Sequence, residues 1–239
     1  KPNNFSATVK SYPSLVYVPN TQSNTVQVYD QKTYKLLRTV KVAREPQHVV
    51  PSYDLKTLYA NSDLGNSLMP FDAKTGKPGK RISLLDPYNL YFTPNGKYAV
   101  VMQERMKQIA FADPHTFKIK KTLKTKCAGV NHADWTADGN IFIASCEFNG
   151  TIIAVDTAKM KLINEQFIPD TYAKHSASSH AGLPNLGPQP QDVKLSPDGK
   201  TFYIADMMSD GIWAMPAPWG KLTYIKTGFG AHGLYVTRD

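Results

Sequence analysis

The sequence predicts an all-β fold, a β-propeller built from four-stranded antiparallel blades. The first observation is a recurring hairpin. Its clearest copy, at 190–206, has a strand of alternating side chains, a Pro-Asp-Gly turn and a second strand rich in branched and aromatic residues. The second observation is the period, because the equivalent turn residues lie 41, 43, 60 and 41 residues apart. These turn residues are Asp54, Asn95, Asp138, Asp198 and Asp239. A repeat of roughly 40 residues with several short strands is typical of a propeller, whereas a β-helix repeats at a shorter length.

Taken in order, the chain divides into five units of four strands, separated by turn residues and without helical periodicity. The predicted strands cover 5–11, 15–19, 25–30 and 35–42, then 47–53, 57–61, 67–72 and 79–85, then 88–93, 98–102, 108–113 and 117–125, then 130–136, 141–146, 151–156 and 161–167, and finally 191–196, 201–206, 211–215 and 222–227. Residues 231–239 repeat the pattern of a first strand, so we expect them to begin a sixth unit.

Composition is that of an ordinary globular protein, with 41% hydrophobic and 20% charged residues. No apolar run approaches the roughly 18 residues of a membrane-spanning helix, so no transmembrane segment is expected. The net charge of +9 favours an acidic protein partner or an anionic surface, unless the lysines merely solvate the protein. Nucleic acid is not expected as a partner, because no motif combines basic and aromatic residues.

The two cysteines, Cys127 and Cys146, flank one predicted hairpin and would lie at the same end of it. A disulfide between them is feasible if residue 127 curls back by one short loop, and it would indicate an oxidising compartment. Two buried free thiols and a thiolate metal ligand are the alternatives.

Three stretches of the chain resemble the YVTN-repeat family of β-propellers. They are LVYVPN with SNTVQVYD at 15–30, GTIIAVDT at 150–157, and PQDV with SPDG at 190–199. The resemblance implies a ring of six to eight blades, so we expect 1–239 to be a single propeller domain, incomplete at its C-terminus, within a ring of about seven blades. A ring of five blades is the alternative.

Function is less constrained by this resemblance than fold. Such propellers include surface-layer modules, sugar-lactone hydrolases and, distantly, relatives of the propellers of periplasmic nitrogen-oxide reductases that contain haem or copper. Copper or haem are therefore the cofactors that the resemblance implies.

Polar residues recur where each predicted inner strand begins. Connections between units and the turns after the second strands share one end of a propeller, so these residues are expected to surround the mouth of its channel. The candidates for a metal site are His48, His132, His232 and Asp192, and the predicted ligand rim comprises Asn20, Asn61, Asn89, Glu104 and Asp206. Imidazoles and carboxylates could hold a transition metal, bind a haem or polar ligand, or act as acid and base. Alternatively, they cap strands.

A long connection at 168–190 is predicted to be an inserted loop on the same, ligand-binding face. It contains His175 and His180, which we include among the candidate metal ligands. The loop is either a lid that carries ligands or a mobile, partner-binding segment. His115 lies in a turn at the opposite end and is expected at the surface, and Asp30, Asp72, Asp113 and Asp156 are expected to accept turn N–H groups.

We expect an exported protein, periplasmic or secreted after removal of its signal peptide, that binds a metal, metallocofactor or small polar ligand at this rim, with a redox or cofactor-handling role. The first alternative is a non-catalytic scaffold for protein interactions. The second is a lactone-type hydrolase, for which the rim offers only Glu104 and Arg105. No catalytic residue is identified, because no nucleophile elbow or triad spacing is present.

Overall fold

Five antiparallel sheets follow one another in a computed structural model, which describes residues 5–171 and 186–237. The first sheet has three strands: β1 (Leu15–Asn20), β2 (Thr25–Asp30) and β3 (Leu36–Lys41). The second comprises β4 (Pro46–Pro51), β5 (Thr57–Ser62), β6 (Ser67–Asp72) and β7 (Ile82–Ser83). The third comprises β8 (Asn89–Phe92), β9 (Ala99–Gln103), β10 (Gln108–Ala112) and β11 (Ile119–Lys124).

The fourth and fifth sheets have the same order. The fourth comprises β12 (Val130–Trp135), β13 (Ile141–Cys146), β14 (Thr151–Asp156) and β15 (Lys161–Phe167), with a short 3-10 helix at Glu147–Asn149. The fifth comprises β16 (Pro190–Leu195), β17 (Thr201–Asp206), β18 (Gly211–Pro216) and β19 (Thr223–Lys226). The predicted all-β repeat of antiparallel sheets is therefore confirmed.

We call β4, β8, β12 and β16 the lead strands. The rim end of a sheet is the end at which its lead strand begins; in the first sheet it is the end that holds the turn between β1 and β2. At the rim end, one turn residue in each sheet adopts a left-handed conformation, with φ between 45° and 62°. Its carbonyl oxygen accepts the N–H of the residue that follows the last strand of the sheet. The five turn residues are Asn24, Asn66, Lys107, Gly150 and Asp210. Asn, Asp and Gly tolerate this conformation best, which explains their recurrence.

The opposite turns are closed by aspartates, as predicted. Asp30 Oδ1 accepts the N–H of Thr33 at 2.7 Å, and Asp72 Oδ1 accepts that of Thr75 at 2.6 Å. Asp113 and Asp156 repeat the contact at 2.9 and 2.8 Å. These hydrogen bonds lower the pKa of each carboxyl group. The four aspartates therefore stabilise turns.

Two predicted strands are not formed. Residues 7–12, inside the expected first strand 5–11 and just beyond it, form turns, because the Ser6 carbonyl accepts the N–H groups of Val9 and Lys10, both at 3.2 Å. The described part of 231–239 has no regular structure either, so the expected first strand of a sixth unit is also wrong. One backbone hydrogen bond joins this segment to β16, from the Asp192 N–H to the His232 carbonyl at 3.3 Å. Two residues later, the Leu234 N–H donates to the carboxylate of Asp192.

The chain clusters into two compact units, the first comprising residues 1–106 and 110–120 and the second comprising 107–109 and 121–239. The core of the first contains fully buried Phe71 and Leu68. In the second, buried Ile143, Phe202 and Ile204 pack between the fourth and fifth sheets. Burial of each such side chain stabilises the folded state by about 1.5 to 3 kcal/mol. This packing fixes the sheets on which the polar residues lie. Nowhere in 5–171 or 186–237 is there a helix of the length and apolarity required to cross a membrane.

Candidate functional site

Three lead strands begin with an irregular pairing at the same repeat position. In the second sheet, Pro46 pairs with Ser62 and Val49 pairs with Ala60, so residues 47 and 48 face Asn61 alone. The same shift follows Val130 in the fourth sheet and Pro190 in the fifth. Such β-bulges redirect side chains and are common beside binding sites. The bulges therefore aim the pairs Gln47–His48, Asn131–His132 and Gln191–Asp192 away from regular sheet positions.

The structure joins three of the predicted residues in the second unit. His132 Nδ1 lies 2.7 Å from Asp192 Oδ1, and the rings of His132 and His232 meet edge to face with centroids 6.3 Å apart. Only 6% of the His132 side chain and 19% of the Asp192 side chain are exposed. The fourth and fifth sheets and the C-terminal segment thus converge on one cluster, which we call the His–Asp cluster (His132, Asp192 and His232).

Asp192 is held in its charged form. Burial alone would raise its pKa, but the hydrogen bond and charge of His132, the Leu234 N–H at 2.9 Å and the charge of Lys194 outweigh burial. Together they lower the pKa of Asp192 to about 2. The cluster therefore contains a carboxylate that stays ionised over the whole physiological range.

A polar network fixes the backbone beneath His132. Asn131 Oδ1 accepts the N–H of His132 at 2.8 Å and the hydroxyl of Ser145 at 2.7 Å. The other end of the amide, Asn131 Nδ2, donates to Glu147 Oε2 at 2.9 Å. Asn131 and Ser145 are fully buried, so these bonds hold the bulge in one conformation.

Sequence reasoning singled out His132 but missed Asn131, Ser145 and Gln191. Gln191 is 1% exposed, and within 5–171 and 186–237 neither of its side-chain amide atoms has a hydrogen-bond partner. The sequence does contain a signal for these residues. Two consecutive polar residues precede an apolar strand at 47–48, 131–132 and 191–192, and such a pair breaks strand alternation and indicates a bulge.

The corresponding residues of the first unit have contacts of their own. The His48 ring meets Tyr88 edge to face at 5.4 Å, and Asn89 Nδ2 donates to the Tyr91 hydroxyl at 2.9 Å. Asn61 is completely buried, and neither amide atom has a hydrogen-bond partner among the residues that the structure covers. Glu104 is 7% exposed. Asn61 and Glu104 thus place buried polar groups at the rim ends of the second and third sheets.

Two members of the predicted rim bond within their own sheets. Asp206 is fully buried; its carboxylate accepts the Ser209 hydroxyl at 2.5 Å, the Trp213 Nε1–H at 3.1 Å and the Gln189 N–H at 2.9 Å. Asn20 Nδ2 donates to oxygen atoms of β1 and β2 at 3.2 to 3.3 Å. These contacts give both residues a structural role, and a ligand role for either stays a prediction.

Cys127 and Cys146 form the predicted disulfide. Both sulfur atoms are buried at the rim end of the fourth sheet, so the bond ties the connection before β12 to the end of β13. His115 is exposed in the turn between β10 and β11, as predicted. His175 and His180 lie outside the described residues, as does most of the predicted loop 168–190.

A metal site is not assembled by the described residues alone. Within 5–171 and 186–237, no group of three or more His, Cys, Asp or Glu side chains is arranged to hold a metal ion. The His–Asp cluster provides two imidazoles and one carboxylate, and that carboxylate already bonds His132 and the Leu234 N–H. The polar groups of the His–Asp cluster are therefore of the kind that forms hydrogen bonds with a ligand.

The fold recurs among solved structures, of which 1580 chains match. One is the hydrazine synthase of Kuenenia stuttgartiensis, at 18% identity and a TM-score of 0.71, with 89% of this chain covered. This chain spans 63% of the length of that one. Identity this low supports the fold only. No curated protein sequence matches.

The family is shown by a sequence profile. The profile of the YNCE-like beta-propellers matches residues 4–166, more than half of the 239-residue chain. This range includes the first three sheets, the fourth up to the last residue but one of β15, and both cysteines. Together with the repeated antiparallel sheets, the match confirms the predicted resemblance to propellers of the YVTN type. The chain belongs to the YNCE-like β-propeller family.

Proposed function

We propose that this chain is an exported β-propeller that binds a small polar ligand at the His–Asp cluster. The observation that carries the proposal is the buried contact of 2.7 Å between His132 and Asp192, formed at two bulges on adjacent lead strands. A His–Asp pair costs desolvation and contributes little net stability compared with apolar residues of similar size. Its presence at the rim end of both sheets therefore favours a role in binding.

The pair would control which ring nitrogen faces the ligand. In neutral His132, a proton on Nδ1 is donated to Asp192 Oδ1, which leaves the lone pair on Nε2. A histidine oriented in this way can accept a hydrogen bond from a ligand, act as a base or ligate a metal. His232, whose ring meets that of His132, adds a second imidazole to the cluster.

Metal or metallocofactor binding is the more specific form of the proposal. Copper and haem are implied by the resemblance to periplasmic propellers, but the described donors do not complete a metal site. The favoured ligand is therefore one held by hydrogen bonds, and the experiment tests metal ions as separate probes. An oxidising location, periplasmic or secreted, is supported by the Cys127–Cys146 disulfide.

The test is a thermal-shift screen of the purified protein with Cu²⁺, Zn²⁺, haem, small carboxylates and sugar lactones. A ligand that binds only the folded state raises Tm, and the increase grows with the logarithm of its concentration relative to Kd. We expect at least one probe to raise the Tm of the wild type and of His115→Ala, a matched surface control, but not that of His132→Ala. An effect that His132→Ala leaves unchanged, or no effect from any probe, would contradict the proposal.

A scaffold without a small ligand is the second candidate. It is favoured by Asp206 and Asn20, whose polar groups bond within their own sheets. The lactone-hydrolase alternative is less well supported, since Arg105 Nε donates to buried Asp86 at 2.8 Å and its Nη2 donates to the Asp63 carbonyl at 2.9 Å. In the screen, the scaffold alternative predicts no shift with any probe, and the hydrolase predicts a lactone as the hit.

A further inference from the structure

We propose that the rim end of the second unit is a docking surface for an anionic membrane. The surface consists of three phenylalanines and two lysines, which we call the aromatic–basic rim: Lys126, Phe148, Phe167, Lys226 and Phe229. The phenylalanines are 59%, 75% and 64% exposed, in chain order. Exposed apolar side chains that collect at one end of a protein can form a binding surface.

The three phenylalanines share one end of the fourth and fifth sheets. Phe167 pairs with Thr151, the first residue of β14, and Phe148 lies in the 3-10 helix just before that strand. Phe229 follows β19, and the next residue, Gly230, donates its N–H to the side chain of Asp210 at the start of β18. Phe148 and Phe167 thus lie at the rim end of the fourth sheet, and Phe229 lies at that of the fifth, whose lead strand contacts that of the fourth through His132 and Asp192.

Phe148 is held rigidly although it is exposed. Its N–H donates to the Ala128 carbonyl and that of Glu147 donates to the Gly129 carbonyl, both at 3.0 Å. Gly129 has φ +74°, and a Cβ there would lie 2.9 Å from the Phe148 ring. The disulfide holds the same loop at Cys127. An aromatic group fixed in this way loses little conformational entropy on binding.

Charge favours an anionic lipid surface as the occupant. Lys126 and Lys226 are exposed, and the chain carries a net charge of +9. The Lys126 carbonyl accepts a hydrogen bond from the side chain of Asn149, which follows Phe148, and Lys226 lies three residues before Phe229. Of the acids near these side chains, Asp210 is buried, Glu147 is half-buried and bonded to Asn131, and Asp170 is exposed. Lysines next to aromatic side chains bind the negative headgroups while the rings enter the interface.

The test is cosedimentation with vesicles of phosphatidylcholine, either alone or mixed with phosphatidylglycerol at about three to one. We expect binding to the mixed vesicles only, and a marked loss at high salt because salt screens the lysines. Phe148→Ser with Phe167→Ser should weaken binding by tenfold or more, from the apolar area no longer buried. Lys126→Gln and Lys226→Gln should each weaken it about fivefold.

The control is Tyr34→Ser, which removes an aromatic group that is 79% exposed in the turn between β2 and β3. It should bind as the wild type does. Equal Tm values for all variants would show that folding is intact. Absence of binding to mixed vesicles at low salt overturns the proposal, as does binding that the double phenylalanine variant retains. Self-association without lipid that the same variant abolishes would assign the surface to a second copy, and would also overturn it.

Discussion

Replacement of Asp192 by asparagine should destabilise the protein by an amount that depends on pH. The pKa of Asp192 falls from its ordinary 3.8 to about 2, chiefly because the hydrogen bond and charge of His132 overcome burial. A difference of this size corresponds to about 2.4 kcal/mol for a fully shielded group. Since 19% of the side chain remains exposed, we reduce the expected loss to about 1 to 2 kcal/mol.

The direction of the pH dependence follows from the lowered pKa. The folded state favours the carboxylate, so the stabilisation is complete above the ordinary pKa of 3.8 and is lost as pH falls to about 2. Free energies of unfolding from urea denaturation should therefore differ by about 1 to 2 kcal/mol between wild type and Asp192→Asn near pH 5. The difference should shrink steadily towards pH 2.

A matched control is Glu165→Gln, which neutralises an exposed carboxylate on β15. It should leave the free energy of unfolding within about 0.5 kcal/mol of the wild type. Equal stability of Asp192→Asn and the wild type near pH 5 would refute the reasoning. A loss that stays constant down to pH 2 would refute it as well, because it would show that packing rather than charge stabilises the folded state.

Three further changes test the fold and the site. Cys127→Ser with Cys146→Ser should lower the free energy of unfolding by about 3 kcal/mol, since the disulfide closes a loop of 19 residues, and reductant should abolish the difference in Tm. Gly96→Ala should cost about 1 kcal/mol more than Gly187→Ala in urea denaturation, because both have positive φ but the Cβ at 96 would lie 2.4 Å from the half-exposed ring of Tyr53, which must shift. Asn61→Leu should preserve or raise Tm, because it removes buried polar atoms that have no partner within the described residues. A free energy of unfolding lower than that of the wild type by more than about 2 kcal/mol would contradict this expectation and would point to a ligand or water bonded to the amide.

The repeat made most of the fold predictable. Turn residues such as Asp198 mark each hairpin, and the aspartates at the ends of β2, β6, β10 and β14 close turns by hydrogen bonds that depend only on neighbouring residues. Local interactions of this kind are visible in a sequence. The pattern was misleading at 5–11 and 231–237, which have strand-like alternation without forming strands. A strand needs a partner along its length, and alternation does not provide one.

The candidate site was predictable in location and only partly in geometry. His132, Asp192 and His232 occupy one repeat position, so their approach to a common end followed from the period. The bulges did not follow, because they depend on register between strands. Asp206 is the opposite case. Its repeat position predicted a ligand-binding role, but its carboxylate accepts hydrogen bonds from the Trp213 indole and the Ser209 hydroxyl.

The sequence by itself determined the all-β repeat, the turn chemistry and the end of the sheets where polar residues collect, because these depend on interactions within about 40 residues and on strict periodicity. Tertiary structure decided which polar groups meet. It paired His132 with Asp192 across 60 residues, bonded Cys127 to Cys146, and left Phe148 rigid but exposed. Contacts between sheets depend on register, side-chain direction and burial acting together, and none of these is encoded at a single position.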